Sequence, residues 1–243
     1  MPIRTTPATP QTLTPHYPTP TRTLANPYHE PAPILTLINK LNLTPHIEGG
    51  YFAETDRDER EIIPQQTSTE YQTTTPPTPK TKTKDKNKNE DDIRSLSTTV
   101  FYLLTPQSPI GAFHRNRSRT VHTLHRGRGV YVLLRKNHSP HKEGKGMDGD
   151  ISIETFTVGH DVTRGEKLQW IVEGGDWKGA FLIPDSDGES EGLLVSETVI
   201  PGFEFADHEF LQREELRNML DGREFEEVEW LLRDNYTQGG DFP

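Results

Sequence analysis

The sequence predicts an all-β domain, a sandwich or barrel of short antiparallel strands with a short helix before it and helices after it. Three observations lead there. From Leu96 onward, runs rich in β-branched and aromatic residues recur at close spacing, separated by Gly, Pro, Asp or Ser. The connections between them are too short for the crossover helices of a parallel sheet, so antiparallel pairing is expected. Hydrophobic content is only 30% over 243 residues, but the shortfall is concentrated in two polar stretches, and the remainder has an ordinary globular composition.

Residues 1–33 are mostly Pro, Thr and small polar residues. Such a stretch buries too little apolar surface to offset the entropy of ordering, so a disordered tail is expected. Ile34, Leu35, Leu37, Ile38 and Leu41 fall at helical spacing, which predicts a helix over Pro33–Leu41 with Pro at its start. Leu43–Thr55 reads as a turn leading into a strand, broken at Gly49-Gly50. Residues 57–92 read as a low-complexity insertion within one loop, its Thr-Pro repeats followed by Lys82, Lys84, Lys86 and Lys88. Strands are predicted at Thr98–Leu104, Gly111–Asn116, Thr120–Arg126, Gly129–Leu134, Ile151–Val158, Lys167–Val172, Gly179–Ile183 and Leu193–Ile200. Between the fourth and fifth, Lys136–Asp150 is rich in Lys, His and Gly and is expected to be mobile. Gln212–Leu220 and Arg223–Asn235 read as helices, the second with an apolar stripe of Phe225, Val228, Leu231 and Leu232. The main domain is thus placed at 34–215 and a helical extension at 216–243.

Charge and composition exclude several functions. A net charge of −10 disfavours nucleic acid, whose phosphates need a basic face. The absence of cysteine removes disulfides, thiol nucleophiles and thiolate metal sites, and fits a cytoplasmic protein. No apolar run approaches the roughly 20 residues that span a bilayer, and the N-terminus has no apolar signal core. Arg4 and Arg22 precede any acidic residue, yet the region is too proline-rich for a targeting helix. Gly188-Glu189-Ser190-Glu191-Gly192 matches the nucleophile-elbow pattern, but an acidic turn precedes it and a strand follows, the reverse of what that motif needs. Gly127 and Gly129 do not continue into a phosphate-binding turn and helix.

A series of short elements carries a resemblance. Pro45-His46-Ile47-Glu48-Gly49-Gly50-Tyr51-Phe52 comes first, then Ser97-Thr98 before Tyr102-Leu103-Leu104, then His114-Arg115. Val172-Glu173-Gly174-Gly175-Asp176-Trp177 and Pro201-Gly202-Phe203-Glu204-Phe205-Ala206-Asp207 complete it. In this order they resemble a branch of the cupin superfamily, the RmlC-like Cupin_5 or DUF985 domain, over roughly residues 34–215. The resemblance implies a double-stranded β-helix, the cupin jelly roll. It also implies a homodimer and a pocket inside the barrel. One departure is specific: Ser118-Arg119-Thr120-Val121-His122-Thr123 stands where the branch has Ser-Asp-Glu followed by aromatic, Trp and His, so its carboxylate is replaced by Thr120.

Cupins commonly hold a metal with two His and a Glu from one motif and a His from a second. At that spacing this chain offers His114, Asn116, Thr120 and, near the last position, Lys178. A single ligand is too few for a stable site, so no metal and no other cofactor is expected. His122 and His125 lie three apart on one strand and so face opposite sides. The expected site is a pocket for a small-molecule ligand. His114 and Tyr102 are the candidate catalytic residues. Glu48, Tyr51, Thr98, His125, Gln169, Trp177 and Glu204 are the candidate ligand contacts. The resemblance implies a metal-independent isomerase or epimerase acting on a sugar-like or other small carbonyl compound. The competing reading is a binding or storage cupin without turnover, which the loss of the acid at Thr120 favours.

Overall fold

Several central strands of this protein are apolar on both faces, and that dictates a layered structure. A computed structural model describes residues 13–17, 30–63, 93–136, 151–185 and 190–233. Helix α1 is Ala32–Lys40. The strands are β1 (Thr44–Pro45), β2 (Tyr51–Arg57), β3 (Glu61–Ile62), β4 (Arg94–Ser95), β5 (Thr98–Leu104), β6 (Ile110–Asn116), β7 (Arg119–Arg126), β8 (Arg128–Lys136), β9 (Ile151–Val158), β10 (Gln169–Val172), β11 (Trp177–Ile183), β12 (Leu193–Ile200) and β13 (His208–Phe210). Helices α2 (Arg213–Met219) and α3 (Gly222–Val228) follow. One sheet has the order β1-β2-β5-β12-β7-β10 and the other β13-β6-β11-β8-β9. Every named pairing is antiparallel. The all-β expectation and the jelly-roll arrangement of two facing sheets are met.

Period-two alternation distributes the apolar residues among three clusters. Tyr102, Leu104, Leu124, Tyr131, Leu133, Trp170, Leu182, Leu193 and Val195 fill the space between the sheets. Their strand neighbours face outward. Leu103 and Leu194 join Ile34 and Ile38 of α1 on one outer face. On the other, Val130, Val132, Leu134, Trp177 and Phe181 pack against Leu216, Phe225, Val228 and Leu231. Helices therefore cover both sheets, and strands buried on both faces read as continuous apolar runs. α3 opens with a capping box, in which Asp221 accepts from the Glu224 backbone and the Glu224 side chain accepts from that of Asp221.

Several boundaries differ from the sequence reading. The final helix, expected over Arg223–Asn235, is α-helical only to Val228 and tightens into a 3-10 turn at Glu229–Leu231; Leu231 and Leu232 are both buried there. β11 begins at Trp177 rather than Gly179, and β10 at Gln169 rather than Lys167. The start of the expected insertion at 57–92 is ordered: β3 and β4 pair across it, while residues 64–92 and the segment 137–150 lie outside the described residues. The tail expected over 1–33 is also partly packed. Leu13 and Tyr17 rest against the apolar clusters, and Glu30 is buried.

Glu30 accepts hydrogen bonds from the Tyr51 hydroxyl at 3.0 Å and the Thr105 hydroxyl at 2.6 Å. Burial still pushes its carboxyl above the ordinary value, and the two hydrogen bonds only partly offset this. The folded chain therefore holds this proton to higher pH than the unfolded chain does. The stability tied to the proton is complete below the unfolded value and is lost as pH rises through the raised one. Glu30→Gln keeps the acceptor and removes the buried charge. Its melting temperature should match the wild type near about pH 4 and exceed it increasingly toward about pH 7, read by calorimetry across that range.

Candidate functional site

The interior changes character along the strands. Beyond Leu193 and Val195, β12 turns Glu197 and Val199 into the barrel, and Glu197 lies opposite His122 of β7. On the facing sheet, β11 places Lys178 opposite His114 of β6. This end opens into a pocket. Its polar lining includes His46, Glu48, Tyr102, Asn116 and Glu197, with Phe52, Val100, Val199, Phe203 and Phe205 as apolar walls. Glu54, Arg57 and Glu204 stand among them, Arg57 being ion-paired to both carboxylates.

Glu48 belongs to the turn between β1 and β2, and that turn is fastened from several sides. The Gly50 amide donates to Ser108 Oγ at 2.7 Å, the Tyr102 hydroxyl to the Gly49 carbonyl at 2.9 Å, and the Ala112 amide to the Glu48 carbonyl at 2.8 Å. Gly49 has φ +103°, and a Cβ there would sit 2.1 Å from the Ile110 carbonyl oxygen. Only glycine fits, which is why Gly-Gly interrupts this otherwise strand-like sequence. The turn delivers the carboxylate into a group of imidazoles. Oε1 lies 2.8 Å from His208 Nε2 and 3.1 Å from His114 Nε2; Oε2 lies 3.6 Å from His46 Nδ1. Burial works against this carboxylate, but His114, His46 and His208 outweigh it and hold the carboxyl well below its usual range. Burial pushes His114 down to about 3, against the pull of Glu48.

A second buried group forms the other half of the site. Lys178 reaches from one sheet to the other. Its ammonium donates to Glu197 Oε2 at 2.6 Å and lies 3.1 Å from His122 Nε2. Burial opposes the Glu197 carboxylate, and Lys178 and His122 overcome this and hold it well below the ordinary value. Burial lowers His122, which stacks on Trp170 with centroids 5.1 Å apart.

His208 is held as firmly as Glu48. It opens β13, which pairs with the end of β6. The residue before it, Asp207, forms a two-pronged ion pair with Arg94 at 2.6 and 2.8 Å, and both side chains are buried.

The expected site residues separate into two groups. His114, Glu48 and Tyr102 are brought together, with Glu204 at the same pocket, but His114 stands behind Glu48 rather than against the open space. The others lie elsewhere. Tyr51 points to the α1 side and Trp177 to the α2–α3 side, because β2 and β11 present them to the outer faces. His125 is exposed and meets Ser196 at 2.8 Å; period two puts it opposite to His122, as expected. Gln169 is exposed and donates to Thr123 Oγ1. Thr98 is buried and accepts from the Phe203 amide at 2.9 Å. His208, Glu197 and Lys178 were absent from the list of candidates. His208 directly follows the Pro201–Asp207 element. Glu197 and Lys178 carried no local signal beyond charge within apolar strands.

The usual cupin ligand positions do not fit a metal here. Asn116 and Thr120 supply no strong ligand, and Lys178 already places a cation beside them. The Cupin superfamily (DUF985) family matches residues 35–211. The chain belongs to this cupin family. It is 38% identical over 208 residues to the uncharacterized protein YML079W of Saccharomyces cerevisiae, across 83% of this chain and 87% of that one. Among solved structures, a hypothetical protein from Leishmania major matches with a TM-score of 0.57 and 26% identity, over 84% of this cupin and 98% of that chain. A protein from Shewanella oneidensis matches with a TM-score of 0.50 and 23% identity, over 76% and 87%, and bears on the fold alone. Among the described residues, no helix of this cupin is long and apolar enough to cross a membrane.

Two substitutions test how the site is built. Gly49→Ala should destabilise the protein by at least about 2 kcal/mol, since strain and a backbone clash combine. Gly165→Ala, also at positive φ but with open space around it, should cost about 1 kcal/mol. Urea unfolding distinguishes the two. Arg94→Met should cost about 3–5 kcal/mol by leaving Asp207 buried without its guanidinium, measured in the same way.

Proposed function

We propose that this cupin binds a neutral, hydroxyl-rich carbonyl compound of the sugar type in the barrel pocket and catalyses proton transfer next to its carbonyl, as an isomerase or epimerase does. The observation that carries this reading is the pair of ionised carboxylates, Glu48 and Glu197, each facing the pocket and each backed by its own buried network. Carboxylates accept hydrogen bonds and so suit ligand hydroxyls. Four carboxylates, Glu48, Glu54, Glu197 and Glu204, line the space against Arg57, and Lys178 backs Glu197. That balance repels phosphorylated or carboxylate ligands. The apolar walls exclude water, which strengthens these contacts.

Glu48 is the group placed to take a proton from carbon. His114, expected as the base, acts as a positioning residue: its Nδ1 donates to the Ala112 carbonyl at 2.8 Å and its Nε2 faces the carboxylate. Tyr102, whose hydroxyl burial keeps protonated, lines the same wall, and its hydrogen has to leave the Gly49 carbonyl to reach a ligand. The geometric requirement for such chemistry is a base, a donor and an excluded pocket.

The test is solvent exchange. Aldoses and ketoses incubated with the protein in deuterium oxide should gain deuterium at the carbon beside the carbonyl, read by proton NMR. Glu48→Gln should lower that rate by roughly 10²–10⁴-fold, while Gln169→Ala should not change it. Undiminished exchange in Glu48→Gln would refute the role of Glu48. Saturable binding with no exchange of any sugar would favour the binding cupin, for which the apolar walls of Phe52, Phe203 and Phe205 are the supporting feature.

A further inference from the structure

We propose that Glu48, His114 and His208 form a binding site for one divalent first-row transition-metal ion. This set shares only His114 with the positions that cupins commonly use. Two of its members come from outside those motifs, Glu48 from the β1–β2 turn and His208 from β13.

The first support is convergence. One oxygen of Glu48 and one nitrogen of each histidine all lie within 4.8 Å of one another. The two imidazoles are nearly parallel, at 15° with centroids 5.1 Å apart, and both turn Nε2 toward the same carboxylate oxygen, at 3.1 and 2.8 Å. Such a cluster is what three ligands around one ion require.

The second support is an unsatisfied atom. The Ala112 carbonyl can only accept, so the His114 Nδ1 beside it at 2.8 Å carries a hydrogen. Nε2 is the ring's other nitrogen. It is buried, it has no hydrogen-bond partner, and it points at a carboxylate oxygen 3.1 Å away. An orphaned buried nitrogen is costly, and a cation bound between it and the carboxylate would give it a partner. The contact from Nδ1 to a backbone carbonyl is also the outer hydrogen bond that orients and polarises a metal-bound histidine.

The third support is rigidity. The Glu48 turn is fixed by Ser108, Tyr102 and Ala112, and His208 by β13 pairing and by Asp207–Arg94. A site must be held before its ion arrives. Two imidazole nitrogens and one carboxylate oxygen suit zinc, iron, cobalt, nickel or manganese rather than calcium or magnesium, which take oxygen. Three protein ligands leave positions open, and Glu48 lines the pocket, so the ion would be reachable by a small molecule. A divalent charge there would also offset the excess of carboxylates. The inference goes beyond the sugar reading and shares Glu48 with it, and its test measures metal and not turnover.

The test uses the full chain with its affinity tag removed. The protein is stripped with a chelator, then titrated with zinc and with cobalt, and bound metal is measured by elemental analysis after desalting. The expected result is about one equivalent per chain with a raised melting temperature. Both should disappear in His208→Ala, and both should survive in the double variant His138→Ala, His141→Ala, which removes two histidines that are not members of the proposed set. Since His208→Ala can unfold the barrel, X-ray absorption of the cobalt-loaded wild type gives a second measurement. Two imidazole ligands with oxygen completing the shell support the assignment. Failure to retain either metal overturns it, as does retention undiminished in a folded His208→Ala, or a shell without two imidazoles.

Discussion

Two carboxylates are withdrawn from water inside an otherwise apolar barrel, and each has to be matched where it is buried. An isolated ionised carboxylate in such surroundings would be too costly to keep. Glu197 is matched by Lys178, which crosses from the opposite sheet, and by His122, its neighbour in register. Glu48 is matched by three imidazoles from a turn, a central strand and an edge strand. These two groups tie both sheets together at one end of the interior. The opposite end is closed by Leu104, Leu133, Leu182 and Leu193, which need no partners. The pocket lies at the polar end for that reason.

The same requirement explains features that look unrelated in the chain. Gly49 leaves room for a backbone to pass within reach of Ile110, and so brings Glu48 over β6. Arg94, at the far side of a long excursion, secures Asp207 and therefore the histidine that follows it. The short pair β3–β4 is what returns the chain to the barrel at the point where Arg94 is needed. Replacement of the family acid by Thr120 does not leave the interior without carboxylates. Thr120 faces Val199 on the neighbouring strand, one alternation away from Glu197, which supplies one instead.

Local pattern reached a long way in this chain. Alternation and turn residues located β5 to β9 and β12 within a residue or two, because strands buried on one or both faces need β-branched and aromatic residues at every inward position. Helix α1 was legible from its spacing and its prolines. Of the site, Glu48, His114 and Tyr102 could be found because they fall inside the short elements that carry the family resemblance. Tyr51, Trp177, His125 and Gln169 were misplaced because a position in the sequence says nothing about which side of a sheet a residue faces, and Tyr51 and Trp177 belong to the outer faces. Thr98 shares the face of Val100 and Tyr102, but its hydroxyl is taken by the Phe203 amide.

The amino-acid sequence by itself determined the sheet-forming segments and the antiparallel pairing, which rest on composition and spacing over a few neighbouring residues, and its ordered motifs carried the family resemblance. Only the tertiary structure decided what meets inside the barrel. His208 lies 160 positions from Glu48, and their hydrogen bond of 2.8 Å depends on how an edge strand docks beside β6. Lys178 and Glu197 meet because two sheets face each other at one separation and register. Those distances are set by packing between layers, and no local run of sequence carries them.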